Sequence, residues 1–369
     1  MKLLQPISKP FLNWDAISSR RVFQTRSRSA GKVLKQLLII CGPTGIGKTK
    51  LALHLASKFN GELVSADSRQ IYRGMDIGTG KDLPVNSKLQ IPNYKLGKQS
   101  IGFYEIEGVK IWGYDLVDPT EEFSVFRYVT VAEKIIENIS SRGKLPILVG
   151  GSGLYIKGVV DGIETIAIPR NMSVRKSLAG KNTDELFEIL ASLDSAKAAS
   201  LNVSDKKNPR RLIRAIEIAY YKSENPKTSM NPPSWRAGRF MKVPKYETLF
   251  IGLTAPRDNL DKRIEKRVLK RLNLGIEDEI QKLLKLGINW EDQSMQSLGY
   301  RQWRDYLIHK KTKNEIVEKW TKDEQNYAKR QFTWFNKDKR IIWFDVSKKN
   351  FRAGVEKLVK EWHNRKIKS

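Results

Sequence analysis

The stretch LIICGPTGIGKTKLALHLA, from Leu38 to Ala56, places an apolar strand, a glycine-rich turn and a helix in immediate succession. The turn matches G-x-x-x-x-G-K-[ST] in the strand–turn–helix context that gives this pattern its meaning. Glycines let backbone N–H groups point at phosphate oxygens, and the helix N-terminus adds partial positive charge. The sequence therefore predicts a phosphate-binding loop, although the loop does not say which phosphate compound it holds.

The residues of this loop have separate predicted roles. Lys48 supplies a positive point charge, and the hydroxyl of Thr49 can hold Mg²⁺. Backbone groups along the rest of the turn face the phosphate. The predicted phosphate-binding residues are Gly42, Pro43, Thr44, Gly45, Ile46, Gly47, Lys48 and Thr49.

Strands alternate with helices around this loop, which favours an α/β fold with a parallel sheet. Residues 84–110 break the rhythm and predict a loop or hairpin insertion, and short helices follow from about residue 170. The predicted fold is a P-loop parallel sheet core with a helical insertion and C-terminal helices. The predicted segments are a basic, disordered extension (1–35), the core (36–169), a helical insertion facing tRNA (170–245), a return to the core with tRNA-binding helices (246–345) and a basic C-terminal helix (346–369).

The composition limits the partners and the kinds of site. A net charge of +28 over 369 residues favours a polyanion such as nucleic acid. One cysteine, Cys41, and three histidines exclude a disulfide within the chain and a Cys/His zinc site. No apolar run reaches the roughly 18 residues of a membrane helix. We expect a cytoplasmic monomer without membrane contact, and a basic N-terminal arm that is either disordered or a transit peptide.

Two further stretches end predicted strands. Asp67 follows the strand ELVSA, and the stretch LVGGSGLY runs from Leu148 to Tyr155. Ligands bind at the carboxyl ends of strands in open α/β sheets, so both stretches should face the phosphate loop. Spacing alone leaves two interpretations of Asp67 open: a metal-binding or basic carboxylate, or a cap of the next turn.

The three stretches together resemble the tRNA dimethylallyltransferase family, bacterial type. The family's versions read close to GPTxxGKT, SADSMQVYRGMDIGTxK and LVGGTGLY, and the similarity continues through NPRRLIRAIEI, SLGYRQ and YAKRQFTWF over most of residues 36–345. The resemblance implies transfer of a dimethylallyl group from dimethylallyl diphosphate to N6 of the adenosine at position 37, 3′ to the anticodon. The acceptors are tRNAs that read codons beginning with U, and diphosphate leaves.

The resemblance also implies roles for particular residues. Asp67 matches the carboxylate that takes the proton of the attacking amine, a task of general base catalysis. Ser152 stands where the family has threonine near the scissile oxygen, and Arg257 matches an arginine expected near the diphosphate. With Mg²⁺ as cofactor, the implied catalytic residues are Asp67, Ser152, Lys48 and Thr49, and the implied metal ligand is Thr49.

The implied partner is the anticodon stem-loop of tRNA, whose reactive base must leave the stack to be modified. Lys329, Arg330 and Thr333 share one helical face, opposite Tyr327, Gln331 and Trp334, a stripe that core packing also explains. The implied tRNA-binding residues are Asp67, Ser68, Arg69, Gln70, Ser152, Arg175, Arg210, Arg211, Arg214, Ser297, Leu298, Gly299, Tyr300, Arg301, Gln302, Lys329, Arg330, Gln331, Thr333 and Trp334.

The chain departs from the family at a few places. Trp112-Gly113-Tyr114 replaces two histidines, and the insertion at 84–110 is unusual, but we expect neither to touch the chemistry. A C-terminal zinc finger, present in eukaryotic relatives, is not expected.

Three other functions remain to be weighed: an adenylate isopentenyltransferase acting on free AMP, ADP or ATP, a nucleotide kinase, and a non-catalytic RNA-binding module. The motifs SLGYRQ and YAKRQFTWF favour tRNA over the free nucleotide.

Overall fold

The computed structural model describes residues 34–84, 86–92, 101–225 and 245–365. Its centre is a seven-stranded sheet in the order β3-β4-β2-β5-β1-β6-β7, in which only the β3–β4 pair is antiparallel. This confirms the predicted α/β class. The strands are β1 (Lys35–Cys41), β2 (Gly61–Ser65), β3 (Phe103–Ile106), β4 (Val109–Trp112), β5 (Leu145–Gly150), β6 (Tyr246–Thr254) and β7 (Ile341–Asp345).

The helices fall into those that cover the sheet and those that form the insertion. Those of the first half are α1 (Lys48–Lys58), α2 (Val125–Ser141) and α3 (Gly153–Val160). The insertion contains α4 (Met172–Ser177), α5 (Thr183–Leu193), α6 (Ser195–Ala199), α7 (Val203–Lys206) and α8 (Pro209–Glu224). The second half adds α9 (Arg257–Asn273), α10 (Ile276–Lys285), α11 (Arg304–Leu307), α12 (Lys313–Phe335) and α13 (Phe351–His363).

Both faces of the sheet are covered. Every residue of β2 and β5 is buried, as the near-continuous apolar sequence of β5 predicts for a central parallel strand. One apolar cluster packs α2, α3 and the later helices on one face, and a second packs α1 and α13 on the other. The two-sided core explains why strands and helices alternate along this part of the sequence, apart from the β3–β4 hairpin.

The insertion predicted at 84–110 contains the β3–β4 hairpin, which adds an antiparallel edge to the sheet. Trp112 and Tyr114, which replace the family's histidines, are both buried. The indole N–H of Trp112 donates to the Glu62 carboxylate over 2.9 Å. Tyr114 is buried close enough to Asp67 that burial and the negative charge of Asp67 both raise the pKa of its hydroxyl. Both replacing side chains are therefore buried within the protein, and the expectation that they do not touch the chemistry stays a prediction.

The helices of the insertion pack on one another. Leu186, Leu190, Leu212 and Ile216 are fully buried within a small apolar cluster that is separate from the two sheet clusters. Asn208 caps α8 by accepting from the backbone of Arg211, and Pro209 occupies the first turn, so the NPRR sequence fixes where this helix starts. The segment boundaries given above remain predictions, although the cluster supports treating the helical insertion as a unit.

Several expectations fall outside the described residues, among them the basic N-terminal arm and most of the proline-rich loop near residue 230. The C-terminal helix α13 packs Val355, Val359 and Trp362 into the second cluster. In the ranges that the structure describes, no helix is both long enough and apolar enough to cross a bilayer.

Candidate active site

The carboxyl ends of three central strands lie side by side. Cys41, at the end of β1, pairs with Gly150 at the end of β5, and Ser65 at the end of β2 pairs with Val149. The segments that follow these strands are the phosphate loop, the Gly151–Gly153 turn and the stretch that begins at Ala66. The strand register therefore brings the three sequence motifs to one edge of the sheet, as predicted for an open α/β fold.

The phosphate loop has the backbone conformation that its glycines allow. Gly42, Gly45 and Gly47 have φ angles of 141°, 74° and 98°. A Cβ on Gly42 would lie 2.6 Å from the carbonyl oxygen of Leu253, so the loop can approach β6 only with glycine there. This shape leads the chain into α1, whose N-terminus is open to an anion.

Lys48 lies within this loop. Its ammonium group donates to the carbonyl oxygen of Pro43 over 2.8 Å. Burial lowers the pKa of Lys48 to about 8, an effect that Asp67 opposes and Arg267 reinforces. The lysine is thus a cation held between a nearby carboxylate and a nearby guanidinium, where an added anion would stabilise its charge.

Asp67 and Ser152 lie at the exits of neighbouring strands. Asp67 Oδ1 accepts from the backbone N–H of Arg69 at 2.9 Å, so it does cap the next turn. Its charge also acts on Lys48, which brings it into the surroundings of the phosphate loop. The turn-capping interpretation is confirmed, and the role of Asp67 as a base or metal ligand stays a prediction. The hydroxyl oxygen of Ser152 accepts from the backbone N–H of Ser68 over 3.0 Å. Ser152 therefore fastens its glycine turn to the Asp67 segment.

Arg257, predicted to lie near the diphosphate, occupies the start of α9 shortly after β6, and its role in binding stays a prediction. Its side chain is 77% exposed and pairs with Asp261 on its own helix, because it occupies the first, solvent-facing turn of α9. Arg267, further along α9, contacts the loop. Its guanidinium donates to the Thr44 hydroxyl over 3.0 Å and to the Gly80 carbonyl over 2.9 Å. The basic spacing of α9 alone gave no signal that distinguished Arg267.

Helix α12 contributes side chains that sequence reasoning assigned to tRNA or to packing. Gln331 Oε1 accepts from the Thr44 backbone N–H at 2.8 Å, and its Nε2 donates to the Gly151 carbonyl over 2.9 Å. Tyr327 lies close to Ser152, and burial together with the charge of Asp67 raises the pKa of its hydroxyl. Gln331 is buried and so is not placed to contact tRNA directly, which corrects its predicted role.

The segment from Ser65 to Lys81, which contains Asp67, is anchored by Glu279, a residue that the sequence did not single out. The carboxylate of Glu279 accepts from the backbone N–H groups of Asp76, Ile77 and Gly78 at 2.9–3.1 Å. The Tyr300 hydroxyl donates to the same carboxylate over 2.6 Å. A glutamate in the first turn of a helix is unremarkable in sequence, so nothing pointed to Glu279.

The neighbours of Asp67 are partly occupied by contacts within the protein. The Arg69 guanidinium donates to the Gln293 carbonyl over 2.9 Å. The Gln70 side chain accepts from the Ser65 hydroxyl and donates to the Gly80 carbonyl, each over 3.0 Å. Ser68 is partly buried beside Ser152. These side chains line the rim of the site, where they remain candidates for an RNA contact.

The SLGYRQ motif has a different role from the one predicted. Ser297, Tyr300 and Gln302 are at most 1% exposed, and Gly299 is also buried against Gly78. Direct tRNA contact by these residues is therefore corrected to a supporting role, because their surfaces are covered by the protein. Arg301 is exposed but pairs with Asp323 at 3.0 Å, and Leu298 is half-buried.

The arginines of the helical insertion divide into two pairs. Arg175 and Arg214 both bind the buried carboxylate of Glu217, with N–O distances of 2.7 and 3.2 Å, and Arg214 also donates to the carbonyls of Thr165 and Ile168. Both guanidiniums are therefore paired with Glu217 while remaining about a third exposed, and their predicted contact with tRNA stays a prediction. Arg210 and Arg211 are exposed, and Arg211 pairs with Asp205.

The other face of α12 matches the prediction of an exposed basic surface. Lys329, Arg330 and Thr333 are exposed, and within the described ranges neither Lys329 nor Arg330 forms an ion pair. Trp334 was placed on the opposite face, yet it is 43% exposed. Whether these residues contact RNA remains a prediction.

The site fits a magnesium ion held mainly by its substrate. Thr49 is partly buried in the first turn of α1, and Asp67 lies across the loop. Elsewhere too, the described ranges contain no cluster of three or more acidic, histidine or cysteine side chains suited to a metal. Mg²⁺ commonly takes one or two protein ligands and fills its shell with phosphate oxygens and water, so this donor set suits it.

Comparison with known proteins agrees with the geometry. The family model described as IPP transferase matches residues 70–338, and the one described as isopentenyl transferase matches residues 35–93. Proteins named tRNA dimethylallyltransferase from Pediococcus pentosaceus and Carboxydothermus hydrogenoformans are 34% and 36% identical, over 89% of this chain and 97% of each relative.

Solved structures show the same relation. A tRNA isopentenylpyrophosphate transferase from Bacillus halodurans matches with a TM-score of 0.62 and 32% identity, over 90% of this chain and 98% of its own. A eukaryotic dimethylallyltransferase described as acting on tRNA matches with a TM-score of 0.69 and 26% identity, over 88% of this chain and 78% of its own. The family resemblance seen in the motifs is confirmed, and the chain belongs to the IPP transferase family of prenyl-transferring enzymes.

Proposed function

We propose that this protein transfers the dimethylallyl group of dimethylallyl diphosphate to N6 of the adenosine at position 37 of tRNA. The observation that carries the proposal is the meeting of a phosphate loop, Asp67 and Ser152 at one edge of the sheet. A kinase needs a phosphate loop too, and it commonly uses a carboxylate to accept the proton of its attacking hydroxyl, so these two features alone do not separate the two functions. The names of the relatives support tRNA as the acceptor.

The donor diphosphate occupies the phosphate loop in this proposal. Backbone N–H groups of the loop, the N-terminus of α1 and the Lys48 ammonium bind its oxygens, and Arg267 closes the loop from the side of α9. These groups act where negative charge grows as the C1–O bond breaks, so they stabilise the transition state more than the substrate. Thr49 would help to hold Mg²⁺ here, and the ion would supply positive charge that neutralises part of the charge on the leaving diphosphate.

Asp67 acts on the acceptor. The exocyclic amine of adenine is a weak nucleophile because its lone pair is delocalised into the ring. As N6 attacks C1 of the allyl group, its proton passes to the Asp67 carboxylate, whose Oδ1 is held by the N–H of Arg69. The products are N6-dimethylallyladenosine, diphosphate and one proton. Ser152 lies between the two substrates and orients the groups that react.

The tRNA surface in this proposal combines the exposed basic face of α12 with Arg210 and Arg211 of the insertion. The target base leaves the anticodon stack and enters the rim formed by Ser68, Arg69 and Gln70. Cations that meet backbone phosphates release counterions, so binding should weaken steeply with added salt.

The test offers two acceptors to the full chain. Labelled dimethylallyl diphosphate and Mg²⁺ are supplied with unmodified tRNA or with AMP, and the labelled product is identified. Label in tRNA at adenosine 37 supports the proposal. Label in AMP alone would assign the protein to the adenylate branch, and steady phosphate release from ATP would favour a kinase.

A further inference from the structure

One face of helix α12 lies against both loops of the active site. Tyr327, Gln331 and Trp334 are spaced by four and three residues, so they form one stripe along the helix. Tyr327 lies close to Ser152, and Gln331 forms hydrogen bonds with both the phosphate loop and the Gly151 carbonyl. A Cβ on Gly153 would lie 2.1 Å from Trp334 Nε1, so the indole abuts that backbone. The stripe thus contacts the donor loop and the Ser152 turn at once.

Gln331 makes the most constrained of these contacts. Its side chain is 5% exposed, and both ends of its amide are used: Oε1 for the Thr44 N–H and Nε2 for the Gly151 carbonyl. A Cβ on Gly151 would lie 2.1 Å from Nε2, so glycine there is what permits the approach. Buried polar groups that lose their partners are costly, so a shift of Gln331 must move the two loops with it.

The same helix turns a second face to solvent. Lys329 and Arg330 precede Gln331 directly, are exposed and have no ion-pair partner in the part of the chain that the structure describes. Trp334 is 43% exposed on one side while its other side touches Gly153. A polyanion bound to these cations would therefore act on a helix whose other face holds the donor loop.

We propose that Gln331 is a positioning residue that couples RNA binding on the exposed face of α12 to diphosphate binding in the phosphate loop. RNA favours the helix position in which Gln331 holds Thr44 and Gly151 in place, and this arrangement orders the donor site. By linkage, bound RNA and bound diphosphate must raise each other's affinity by the same factor. The inference rests on the proposed function, because it needs both ligands to bind.

The experiment measures that factor directly. Inorganic pyrophosphate with Mg²⁺ is titrated into the full-length protein by calorimetry, with and without a saturating unmodified anticodon stem-loop RNA, and the RNA is then titrated with and without pyrophosphate. For the wild type we expect RNA to tighten pyrophosphate binding about fivefold or more, within the usual range of coupling between sites. The reverse titration should return the same factor.

Gln331→Met keeps the unbranched shape and volume of the side chain but removes its amide. We expect the coupling factor to fall to about one, with RNA affinity in the absence of pyrophosphate within about threefold of the wild type. Gln325→Met, six residues earlier on the same helix and partly exposed, makes the same substitution away from the loops and should keep the full factor.

Two results would overturn the inference. One is a wild-type factor of one in both directions, a result that does not depend on any variant folding. The other is a folded Gln331→Met protein, with its melting temperature measured in parallel, that keeps the wild-type factor. If the wild type bound no RNA, or no pyrophosphate even with RNA present, the proposed function would fail together with the inference. If the protein transferred the group to tRNA without any coupling, only the inference would fail.

Discussion

The phosphate-loop edge of the sheet and the helical insertion both carry arginines, but the two regions use them differently. At the sheet edge, Arg267 donates to a loop hydroxyl and a backbone carbonyl, and it adds to the positive field around Lys48. In the insertion, Arg175 and Arg214 bind the buried Glu217. Arg267 also pairs with the half-exposed Asp82 at 3.0 Å. The edge thus holds its arginine between loop atoms and a half-exposed carboxylate, whereas the insertion commits two arginines to one buried carboxylate.

This difference changes how the net charge of +28 should be interpreted. Of the four insertion arginines that the family resemblance assigned to tRNA, Arg175 and Arg214 pair with the buried Glu217 and so also stabilise the insertion. The remaining pair, Arg210 and Arg211, and the cations of α12 are exposed. An RNA surface is therefore better judged from exposed, uncommitted cations than from the basic residues of a motif.

The largest effect on the transfer rate should come from substituting Asp67 at the phosphate-loop edge of the sheet. Asp67→Asn keeps the shape of the side chain and its hydrogen bond to Arg69, but the amide cannot take the proton of the attacking amine. We expect the single-turnover transfer rate to fall about 10²–10⁴-fold, the usual contribution of a general base. The affinity for tRNA should stay nearly constant. A loss of less than about tenfold would remove Asp67 as the base.

Two arginines of α9, Arg257 and Arg267, give a matched pair of variants. Arg267→Ala should raise the KM for dimethylallyl diphosphate about 10-fold or more, because a charge-assisted contact at the loop is lost. Arg257→Ala, on the same helix and 77% exposed, should leave KM within about twofold. Steady-state kinetics at saturating tRNA compares the two. Equal effects would mean that Arg267 has no special part in the donor site.

The pH dependence of donor binding tests the positive charge of Lys48 at the phosphate-loop edge of the sheet. Lys48 has a pKa lowered to about 8, so the free enzyme loses this positive charge as the pH rises above that value. Pyrophosphate affinity should fall with a limiting slope of about tenfold per pH unit above pH 8 and be flat below it to about pH 7. Lys48→Arg, which stays protonated, should remove the slope whatever its absolute affinity. A wild-type profile that is flat to pH 9.5 would contradict the assignment.

The smallest effects separate the two arginine pairs of the insertion. Arg210→Ala should lower the slope of log affinity for tRNA against log salt concentration by roughly 0.7–0.9, with an unchanged melting temperature. Arg175→Ala should leave that slope unchanged and lower the melting temperature, because it leaves the buried Glu217 with one guanidinium partner. If Arg175→Ala changed the slope instead, Arg175 would contact the RNA after all.

The sequence by itself determined the α/β class, the phosphate loop, the strand-end positions of Asp67 and Ser152, and the family. These are local properties. A glycine turn, a helix cap and an apolar strand are specified by adjacent residues, and parallel strands necessarily bring their carboxyl ends together. The hairpin at β3–β4 and the break at Gly275 between α9 and α10 follow from the same local signals.

Only the tertiary structure decided which distant side chains complete the site. Arg267, Glu279 and Gln331 lie about 180–290 residues from the groups they hold. Their helices resemble many others in sequence, because an arginine, glutamate or glutamine on a helix becomes specific only through what packs opposite it. The burial of Tyr300 has the same cause. The SLGYRQ motif predicts that Tyr300 contacts tRNA, but other parts of the protein cover its side chain, and its hydroxyl binds Glu279.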